Sequence, residues 1–596
     1  MLSCRLASIG ATDQGHKERI TAVQAAKALV RVLRESGVSH IFGLPGDTSM
    51  DLYDALLDAH DEITHVMTRD ERSASFMADV YARVSGRLGV CEGPSGGGAT
   101  YIVPGVAEAQ GSAIPLLCLT TDTPVSQQGR GVLTELDQES LFRPLTKWNA
   151  RVNAASGVAD MTRRAIRMAT SGRPGAVHLS LPSDTLQGDT PDEEIYGIPA
   201  FGRVPAVRTR PDPAAICEAA ALLESAARPV IVAGGGIHTS GAWSELTGLA
   251  AALNIPVATS INGKGAIDER HPCSLGVVGG NGAREYANRA LAGADLVFFI
   301  GTRTDSTTTC NWTLPARFDG PTTIHLDMEN RELGNNYPLA VALAGDAKLG
   351  LADVLEAIDR PQLILDRHQS RIDALLVERE TYWEEFHRQA ASCAYPVKPQ
   401  RVVQVMRELL DDTTLIVADP GTPTPYLAAY FEVRGAGRST VIPRAHGGLG
   451  YAIPGVVGAA MAAPDRRVIG MTADGSFGMS AGELETIRRL NLPVVLIHCS
   501  NGSFGWIKEL QHLYHADRYY SVDFSTVDYA SIARGFGLQS RQILDPEQIR
   551  PALAEALADG RPWFIDIVTE SQITETPPVA AWREAEAHSR LATVAS

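Results

Sequence analysis

Two polar residues near the C-terminus have the types and the spacing of a metal site. Asp474 follows the apolar run 467–472, and Asn501 follows the next apolar run, 494–499, 27 residues after Asp474. Because a helical stretch separates the two runs, we expect both to be parallel strands whose carboxyl ends bring Asp474 and Asn501 together. A carboxylate, an amide oxygen and a loop carbonyl suit Mg²⁺, which completes its ligand shell with phosphate and water.

The residues that follow Asp474 favour a diphosphate beside the metal. Gly475 lets the backbone approach an anion closely, and the N-terminus of the helix that begins there favours negative charge. Taken alone, Asp474-Gly475-Ser476 is also typical of a turn that caps a helix. The pairing with Asn501 favours the metal and diphosphate interpretation over the structural one.

Short apolar runs bounded by glycine, proline or aspartate recur along the chain and indicate the strands that would carry this site. They are 88–91, 115–120, 176–181, 229–233, 294–300, 322–326, 414–418, 467–472, 494–499 and 563–568. Most are continuous rather than alternating, so both faces of each strand should be buried. Amphipathic stretches such as 22–35, 214–226 and 483–490 lie between them. This alternation predicts an α/β protein built of doubly wound parallel sheets.

Two segments break the alternation and divide the chain into three domains of ordinary size. The first is rich in proline, aspartate, glycine and arginine, and the second contains a charged helix followed by two prolines. The predicted division is an N-terminal tail at 1–19, a domain at 20–190, a linker at 191–213, a central domain at 214–360, a helical linker at 361–399, a third domain at 400–572 and a C-terminal tail at 573–596.

The composition excludes several classes of protein. Lys and Arg number 53 and Asp and Glu number 69, a formal net charge of −16, so nucleic-acid binding is not expected. No apolar run approaches the roughly 18 residues of a membrane span, so no membrane association is expected. The eight cysteines form no CxxC pair and are interpreted as buried residues in a reducing compartment. Since residues 1–18 lack the apolar core of a secretory signal, we expect a cytoplasmic protein.

Two further segments each hold one candidate residue. Glu71 lies in the run Arg69-Asp70-Glu71-Arg72, ahead of a helical stretch at 77–86 and a glycine-rich loop at 93–100. On composition alone, this charged run is typical of exposed, salt-bridged side chains. Leu449 lies in the run 447–450, Gly-Gly-Leu-Gly. A leucine bracketed by glycines is an unusual core residue, which makes it a candidate for a contact with a ligand.

Together these segments resemble those of the thiamine-diphosphate enzymes. Ala473-Asp474-Gly475 with Asn501 resembles the family's Gly-Asp-Gly…Asn magnesium-diphosphate motif, with Ala473 in place of the first glycine. The acetohydroxyacid synthases are the most similar group within the family, and the resemblance extends over about 20–568. The other matching segments are 68–86 (the family's glutamate and its helix), 93–100 (its glycine loop), 419–422, 446–455, and, from the synthases, 146–149, 301–305, 325–327 and 345–347.

The resemblance assigns roles to individual residues. Asp474, the Asn501 side chain and the Ser503 carbonyl would bind Mg²⁺, Glu71 would hydrogen-bond and activate the pyrimidine ring, and Leu449 would wedge between the cofactor's two rings. The residues expected to contact thiamine diphosphate are Glu71, Gly421, Thr422, Gly447, Leu449, Asp474, Gly475, Ser476, Asn501, Ser503 and Gly505. The three domains would be the pyrimidine-binding, central and diphosphate-binding domains. The active site is then expected between the subunits of a homodimer or homotetramer.

The resemblance is weaker at the substrate pockets and in the central domain. Arg303 matches an arginine that receives a second 2-oxo acid, since a guanidinium suits a carboxylate, but it is equally suited to a flavin or a structural aspartate. Thr134 replaces the glutamine of a Phe-Gln-Glu segment, and Leu510, four residues after Trp506, replaces a tryptophan that selects larger acceptors. Thr134 and Trp506 are therefore candidate substrate residues. Since residues 234–236 lack the spaced dinucleotide fingerprint, FAD binding is left open.

The activity implied by the resemblance is decarboxylation of a 2-oxo acid followed by transfer of the remaining fragment to an acceptor carbonyl. A decarboxylase or C–C lyase without transfer is one alternative. Another is a non-catalytic cofactor-binding paralogue, which Glu71 disfavours because such a protein has no need of it. A nicotinamide dehydrogenase is disfavoured by the missing dinucleotide fingerprint. The donor and the acceptor stay open.

Overall fold

The computed structural model describes residues 22–586 of the 596-residue chain. The predicted tail 1–19 lies outside the described residues, as does the end of the predicted C-terminal tail. Three six-stranded sheets follow one another along the chain, and every strand pair within them is parallel. This confirms the predicted fold class of three consecutive parallel-sheet α/β domains. Within 22–586, no helix is long and apolar enough to cross a membrane.

The N-terminal domain builds its sheet from the apolar runs of the sequence. Its strands are β1 (Ala22–Gln24), β2 (His40–Gly43), β3 (Thr64–Met67), β4 (Gly89–Gly93), β5 (Leu116–Asp122), β6 (Trp148–Arg151), β7 (Ala176–Pro182) and β8 (Asp189–Pro191). Its helices are α1 (Ala25–Glu35), α2 (Met50–Asp58), α3 (Glu71–Ser85), α4 (Gly97–Tyr101), α5 (Val103–Ser112), α6 (Gln138–Phe142), α7 (Val158–Thr170) and α8 (Ser183–Gln187). The sheet order is β3-β2-β4-β5-β7-β6, and β1 and β8 form a separate antiparallel pair. Strand β5 is buried along its whole length because helices cover both faces of the sheet.

The central domain has the same layered construction. Its strands are β9 (Pro229–Ala233), β10 (Val257–Thr259), β11 (Ser274–Val277), β12 (Leu296–Ile300), β13 (Thr322–Asp327) and β14 (Val341–Ala344). Its helices are α9 (Pro213–Ser225), α10 (Gly236–Ser240), α11 (Trp243–Leu253), α12 (Glu285–Ala292) and α13 (Ala347–Glu356), and α14 (Pro361–Ala390) then leads to the third domain. The sheet order is β11-β10-β9-β12-β13-β14.

The C-terminal domain contains the strands that the candidate metal site requires. They are β15 (Leu415–Ala418), β16 (Thr440–Val441), β17 (Val468–Ala473), β18 (Val495–Ser500), β19 (Gln539–Ile543) and β20 (Trp563–Val568). The helices are α15 (Pro399–Leu409), α16 (Pro423–Tyr430), α17 (Ala452–Ala462), α18 (Asp474–Ser480), α19 (Glu483–Arg489), α20 (Gly505–Tyr514), α21 (Tyr529–Gly535) and α22 (Ile549–Asp559). The sheet order is β16-β15-β17-β18-β20-β19.

The first and third sheets share one strand order. Counted along the chain within each sheet, both run 2-1-3-4-6-5, whereas the central sheet runs 3-2-1-4-5-6, the order of dinucleotide-binding folds. In such sheets, ligands bind outside the carboxyl ends of the strands where the order reverses. In the third sheet this point lies between β15 and β17, and in the central sheet between β9 and β12.

The N-terminal and C-terminal domains share one hydrophobic core, in which α3 packs against α17. The helices approach closely because Gly458 has no side chain: a Cβ there would lie 2.1 Å from the carbonyl oxygen of Met77. The rings of Phe76 and Tyr451 also meet across this contact, with centroids 5.1 Å apart. The described part of the C-terminal tail is packed rather than extended, since Trp582 is buried.

Candidate active site

Asp474 and Asn501 lie side by side at the carboxyl edge of the third sheet. Asp474 begins α18 directly after β17, and Asn501 directly follows β18, the neighbouring parallel strand. The N–H of Asn501 donates to Asp474 Oδ2 at 2.8 Å, and the Asn501 side-chain oxygen accepts the N–H and hydroxyl of Ser503 at 3.2 and 3.1 Å. The three predicted metal ligands therefore form one cluster.

The other oxygen of the Asp474 carboxylate is available to a cation. Oδ1 is buried and accepts no hydrogen bond from the described residues. Burial acts to raise the pKa of Asp474, but His498, whose Nε2 lies 3.8 Å from Oδ1, and the Asn501 N–H outweigh it, so the pKa is lowered. A buried carboxylate with a lowered pKa and one oxygen free of hydrogen bonds, beside an amide, fits Mg²⁺.

Gly475, which was expected to let the backbone approach an anion, is also required by packing. A Cβ at Gly475 would lie 2.3 Å from the ring of Phe504, so no other residue fits here without displacing that ring, which directly follows Ser503. Ser476 is buried in the same helix turn. Gly505 begins α20, the helix that follows the loop of Asn501 and Ser503.

A second loop, 419–422, lies across the reversal point of the sheet from Asp474. It follows β15 and contains the predicted residues Gly421, which has φ of 101°, and Thr422. Burial raises the pKa of Asp419 to about 6. Its Oδ1 accepts the N–H groups of Tyr451 and Ala452 at 2.6 and 3.1 Å. Asp419 thereby ties this loop to the segment that contains Leu449, a role that the sequence did not indicate.

Leu449 is not part of a core. It is half-buried, Gly447 beside it is exposed, and Leu449 belongs to none of the hydrophobic clusters formed within residues 22–586. A leucine outside the core at the edge of the third sheet is placed to contact a ligand.

Glu71 is buried rather than exposed, which overturns the simple surface interpretation of its charged run. It begins α3, with Asp70 as the N-cap, and is 7% exposed. Its side chain lies against the glycine loop, with Cγ 3.3 Å from where a Cβ of Gly93 would be. Burial, followed by the charges of Asp70 and Glu92, raises the pKa of Glu71. This carboxyl therefore keeps its proton to a higher pH than a solvated glutamate.

Thr134 lies near the Glu71 pocket, whereas Arg303 and Trp506 lie elsewhere. The hydroxyl of Thr134 meets that of Ser95 at 2.7 Å, on the same glycine loop. Arg303 lines a cleft at the carboxyl edge between β9 and β12 of the central domain, to which Arg173 of the N-terminal domain and Arg444 of the C-terminal domain also contribute. The ring of Trp506 packs on Trp582, with centroids 4.2 Å apart. Of the three candidate substrate residues, the chain thus brings only Thr134 beside a catalytic candidate.

Glu71 and the Asp474–Asn501 cluster belong to different domains. The charges that act on Glu71 come from Asp70 and Glu92 of its own domain. Within the described residues, the polar partners of Asp474 and Asn501 all belong to the C-terminal domain.

Comparison with known protein families agrees with this architecture. The sequence matches the thiamine pyrophosphate enzyme N-terminal TPP binding domain over residues 23–141, the central domain over 216–358 and the C-terminal TPP binding domain over 419–567. The chain belongs to the thiamine pyrophosphate enzyme family. The N-terminal match contains Glu71, and the C-terminal match contains Asp474 and Asn501.

Curated relatives of this thiamine pyrophosphate enzyme are similar over nearly its full length. A probable acetolactate synthase large subunit of Methanocaldococcus jannaschii is 34% identical over 92% of each chain. One of Methanococcus aeolicus is 34% identical over 94% of each chain. The acetolactate synthase large subunit of Parasynechococcus marenigrum is 32% identical over 91% of this chain and 87% of its own. These matches confirm the resemblance that the motifs indicated.

Proposed function

We propose that the protein is a thiamine-diphosphate- and Mg²⁺-dependent enzyme that decarboxylates a 2-oxo acid and transfers the remaining fragment to an acceptor carbonyl. The observation that carries the proposal is the unpaired, buried Oδ1 of Asp474 beside Asn501, at the point where the third sheet reverses its strand order. The similarity to acetolactate synthase large subunits supports the reaction type.

The C-terminal domain would hold the diphosphate and its metal. Asp474, Asn501 and the Ser503 carbonyl would ligate Mg²⁺, leaving its remaining positions to phosphate and water. The N-terminus of α18 points its free N–H groups toward the same edge and favours the phosphate charge. When bound, thiamine diphosphate supplies the carbon nucleophile that attacks a 2-oxo group and the electron sink that allows CO₂ to leave.

The N-terminal domain would activate the cofactor through Glu71. Because burial and its acidic neighbours raise its pKa, the carboxyl would keep its proton to a higher pH than a solvated glutamate and would share it with a pyrimidine ring nitrogen. The glycine loop at 93–98 lets a ring approach this carboxyl and shields it from water. Leu449 would bring the two rings of the cofactor together from the opposite side.

The complete site would form between two subunits. One chain holds Glu71 in its N-terminal domain and the proposed metal ligands in its C-terminal domain, where Asp474 Oδ1 and the Asn501 side-chain nitrogen are buried without a hydrogen bond. A two-fold dimer places the same two surfaces of each subunit against each other and generates two equivalent sites. Homodimers, or tetramers built from them, are the assemblies that we propose.

A second candidate concerns the central domain, where the structure favours a nucleotide ligand such as FAD. The strand order 3-2-1-4-5-6 is that of dinucleotide-binding sheets, and the cleft at its reversal point is lined by Arg173, Arg303 and Arg444. Gly236 packs its backbone against Gly301 at the mouth of the cleft. The absorbance spectrum of the purified protein, with chromatography of any released flavin, tests this assignment.

The proposed reaction is tested by CO₂ release from a panel of 2-oxo acids. We expect release that requires both thiamine diphosphate and Mg²⁺ and that is lost in Glu71→Gln. CO₂ together with an aldehyde only would favour a decarboxylase. Cofactor binding without turnover of any acid would favour a lyase of another substrate or a non-catalytic paralogue.

A further inference from the structure

The segment that contains Leu449 is not fixed in place by its own packing. Gly447 and Gly450 have φ of 74° and 80°, in the left-handed region that glycine adopts most easily. A Cβ at Gly447 would meet no atom within 4 Å. Since Leu449 itself packs in no core, its position depends on how the chain is held before and after these glycines.

Glu108 of the N-terminal domain holds the chain before the glycines. Its carboxylate, on α5 and 1% exposed, accepts the successive N–H groups of residues 444–446 at 3.2, 3.1 and 2.7 Å. Arg83 donates to the same carboxylate at 2.9 Å. Burial acts to raise the pKa of Glu108, but Arg83 and the N–H of His446 outweigh it, so the pKa is lowered and the group stays charged. Charge-assisted hydrogen bonds to three successive N–H groups fix the direction of this backbone.

Tyr451 holds the chain after the glycines. Its N–H donates to Asp419, and its hydroxyl donates to Asp79 on α3. Asp79 also pairs with Arg83, at 2.8 Å. Arg83 therefore joins both ends of the segment in one buried ionic network, which extends from the N-terminal domain across the interface to the edge of the third sheet.

We propose that Glu108 is a positioning residue for Leu449, holding residues 444–446 so that Leu449 reaches a bound cofactor at the right distance. The proposal rests on the proposed function, because it assumes that Leu449 contacts thiamine diphosphate. Glu108 is buried in the domain interface and acts through the segment, not by touching the cofactor. The same helix, α3, begins at Glu71 and contains Asp79 and Arg83, so the N-terminal domain serves both halves of the chemistry.

Glu269 provides a matched control for the loss of a buried, paired carboxylate. It is 2% exposed, pairs with Lys264 and Arg284 at 2.6 Å each, and accepts the N–H of Val433 at 3.1 Å across another domain interface. Its partners do not include residues 444–452. Glu269→Gln therefore reproduces the loss of stability that follows when a buried ion pair is broken. It leaves the hydrogen bonds to residues 444–446 unchanged.

The test is exchange of the C2 proton of bound thiamine diphosphate with deuterium, measured by quenched-flow NMR on the full-length protein with Mg²⁺ and no substrate. We expect Glu108→Gln to slow exchange by about tenfold. In a Leu449→Ala background the same substitution should add no more than about twofold, because two residues that act through one contact are not additive. Glu269→Gln should leave the exchange rate of the bound cofactor within about twofold of wild type.

Additive effects of Glu108→Gln and Leu449→Ala, or an equal slowing in Glu269→Gln, would overturn the proposal. If Glu108→Gln does not fold, Tyr451→Phe removes only the hydroxyl bond to Asp79. This variant should also slow exchange, and an unchanged rate would overturn the proposal.

The wild-type protein separates the failure of this proposal from the failure of the proposed function. A wild-type protein that binds the cofactor without accelerating exchange would refute the proposed function, and the positioning role with it. If wild type accelerates exchange but the effects of Glu108→Gln and Leu449→Ala on the exchange rate are additive, only the positioning role is refuted.

Discussion

Asp474 is bonded to Asn501 through only one of its two carboxylate oxygens. Oδ2 accepts the Asn501 N–H at 2.8 Å, whereas Oδ1 is buried and accepts no hydrogen bond from the described residues, with His498 Nε2 3.8 Å away. A buried polar atom without a partner is costly, and a bound cation removes that cost. The half-satisfied carboxylate beside Asn501 therefore fits a bound metal at this edge of the sheet.

Asp474→Ala should abolish Mg²⁺-dependent retention of thiamine diphosphate, weakening it by at least about 100-fold, since loss of even an outer-shell partner costs 10–100-fold. Equilibrium dialysis over a Mg²⁺ titration measures this. Asp566→Ala is the matched control: Asp566 is a neighbouring buried carboxylate, but both of its oxygens are bonded, to Ser500 and Gln542. Equal retention in the Asp474 variant and wild type would refute the metal assignment.

Glu71 and Asp474 should complement each other between subunits. Glu71→Gln and Asp474→Ala should each be inactive alone. When the two are co-expressed with different tags, mixed dimers should contain one intact site, and the random mixture should recover roughly a quarter of wild-type activity. Turnover of a 2-oxo acid by the purified mixture measures this. Recovery close to zero, with mixed dimers present on a gel, would place the site within one chain.

The activity should depend on pH through Glu71, whose proton is lost as pH rises through its raised pKa. The charge of Glu92 contributes to that raised pKa. Glu92→Gln removes the charge, lowers the pKa of Glu71, and should move the alkaline fall in C2-proton exchange to lower pH by about one unit or less. A pH profile of exchange on the bound cofactor checks the direction. An alkaline fall that stays in place, or moves to higher pH, would contradict this electrostatic account.

The contact of α3 with α17 should tolerate no side chain at Gly458. Gly458→Ala would bring a methyl group within 2.1 Å of the Met77 carbonyl oxygen and push the helices apart, at a cost of about 1–3 kcal/mol. Gly248→Ala, in α11, meets no atom within 4 Å and should be neutral or slightly stabilising, because alanine favours a helix. Thermal unfolding of both variants separates the two effects. Equal stability of the two would refute close packing at this interface.

The residues of the site that directly follow predicted strands were predictable from the sequence. Asp474 and Asn501 each follow an apolar run, and parallel strands bring such positions to one edge. The burial of Glu71 was not evident, because the charged run around it is equally typical of a surface, and its side chain is buried against the glycine loop that follows β4. Glu108 escaped notice because the backbone N–H groups that it accepts, those of residues 444–446, are more than 300 residues away. Its one local signal is that it is the only charged residue in α5.

The sequence also left open where the candidate substrate residues would lie. Arg303 matched a substrate arginine in the motif, but the fold puts it in the cleft of the central domain. Only the strand order of that sheet, which no local pattern reveals, relates this arginine to a nucleotide site. Trp506 is packed against Trp582, in a segment whose composition predicted a tail. Long-range packing decided each of these placements.

The most direct test of the central claim is the fate of ¹³C-labelled pyruvate with purified protein, thiamine diphosphate and Mg²⁺, followed by mass spectrometry. The account predicts labelled CO₂ and a product in which the remaining fragment is joined to a second carbonyl compound, both lost in Asp474→Ala and Glu71→Gln. If pyruvate is inert, the same assay is extended to larger 2-oxo acids. CO₂ with acetaldehyde as the sole product would contradict the transfer step, and no CO₂ from any 2-oxo acid by cofactor-loaded protein would contradict the account as a whole.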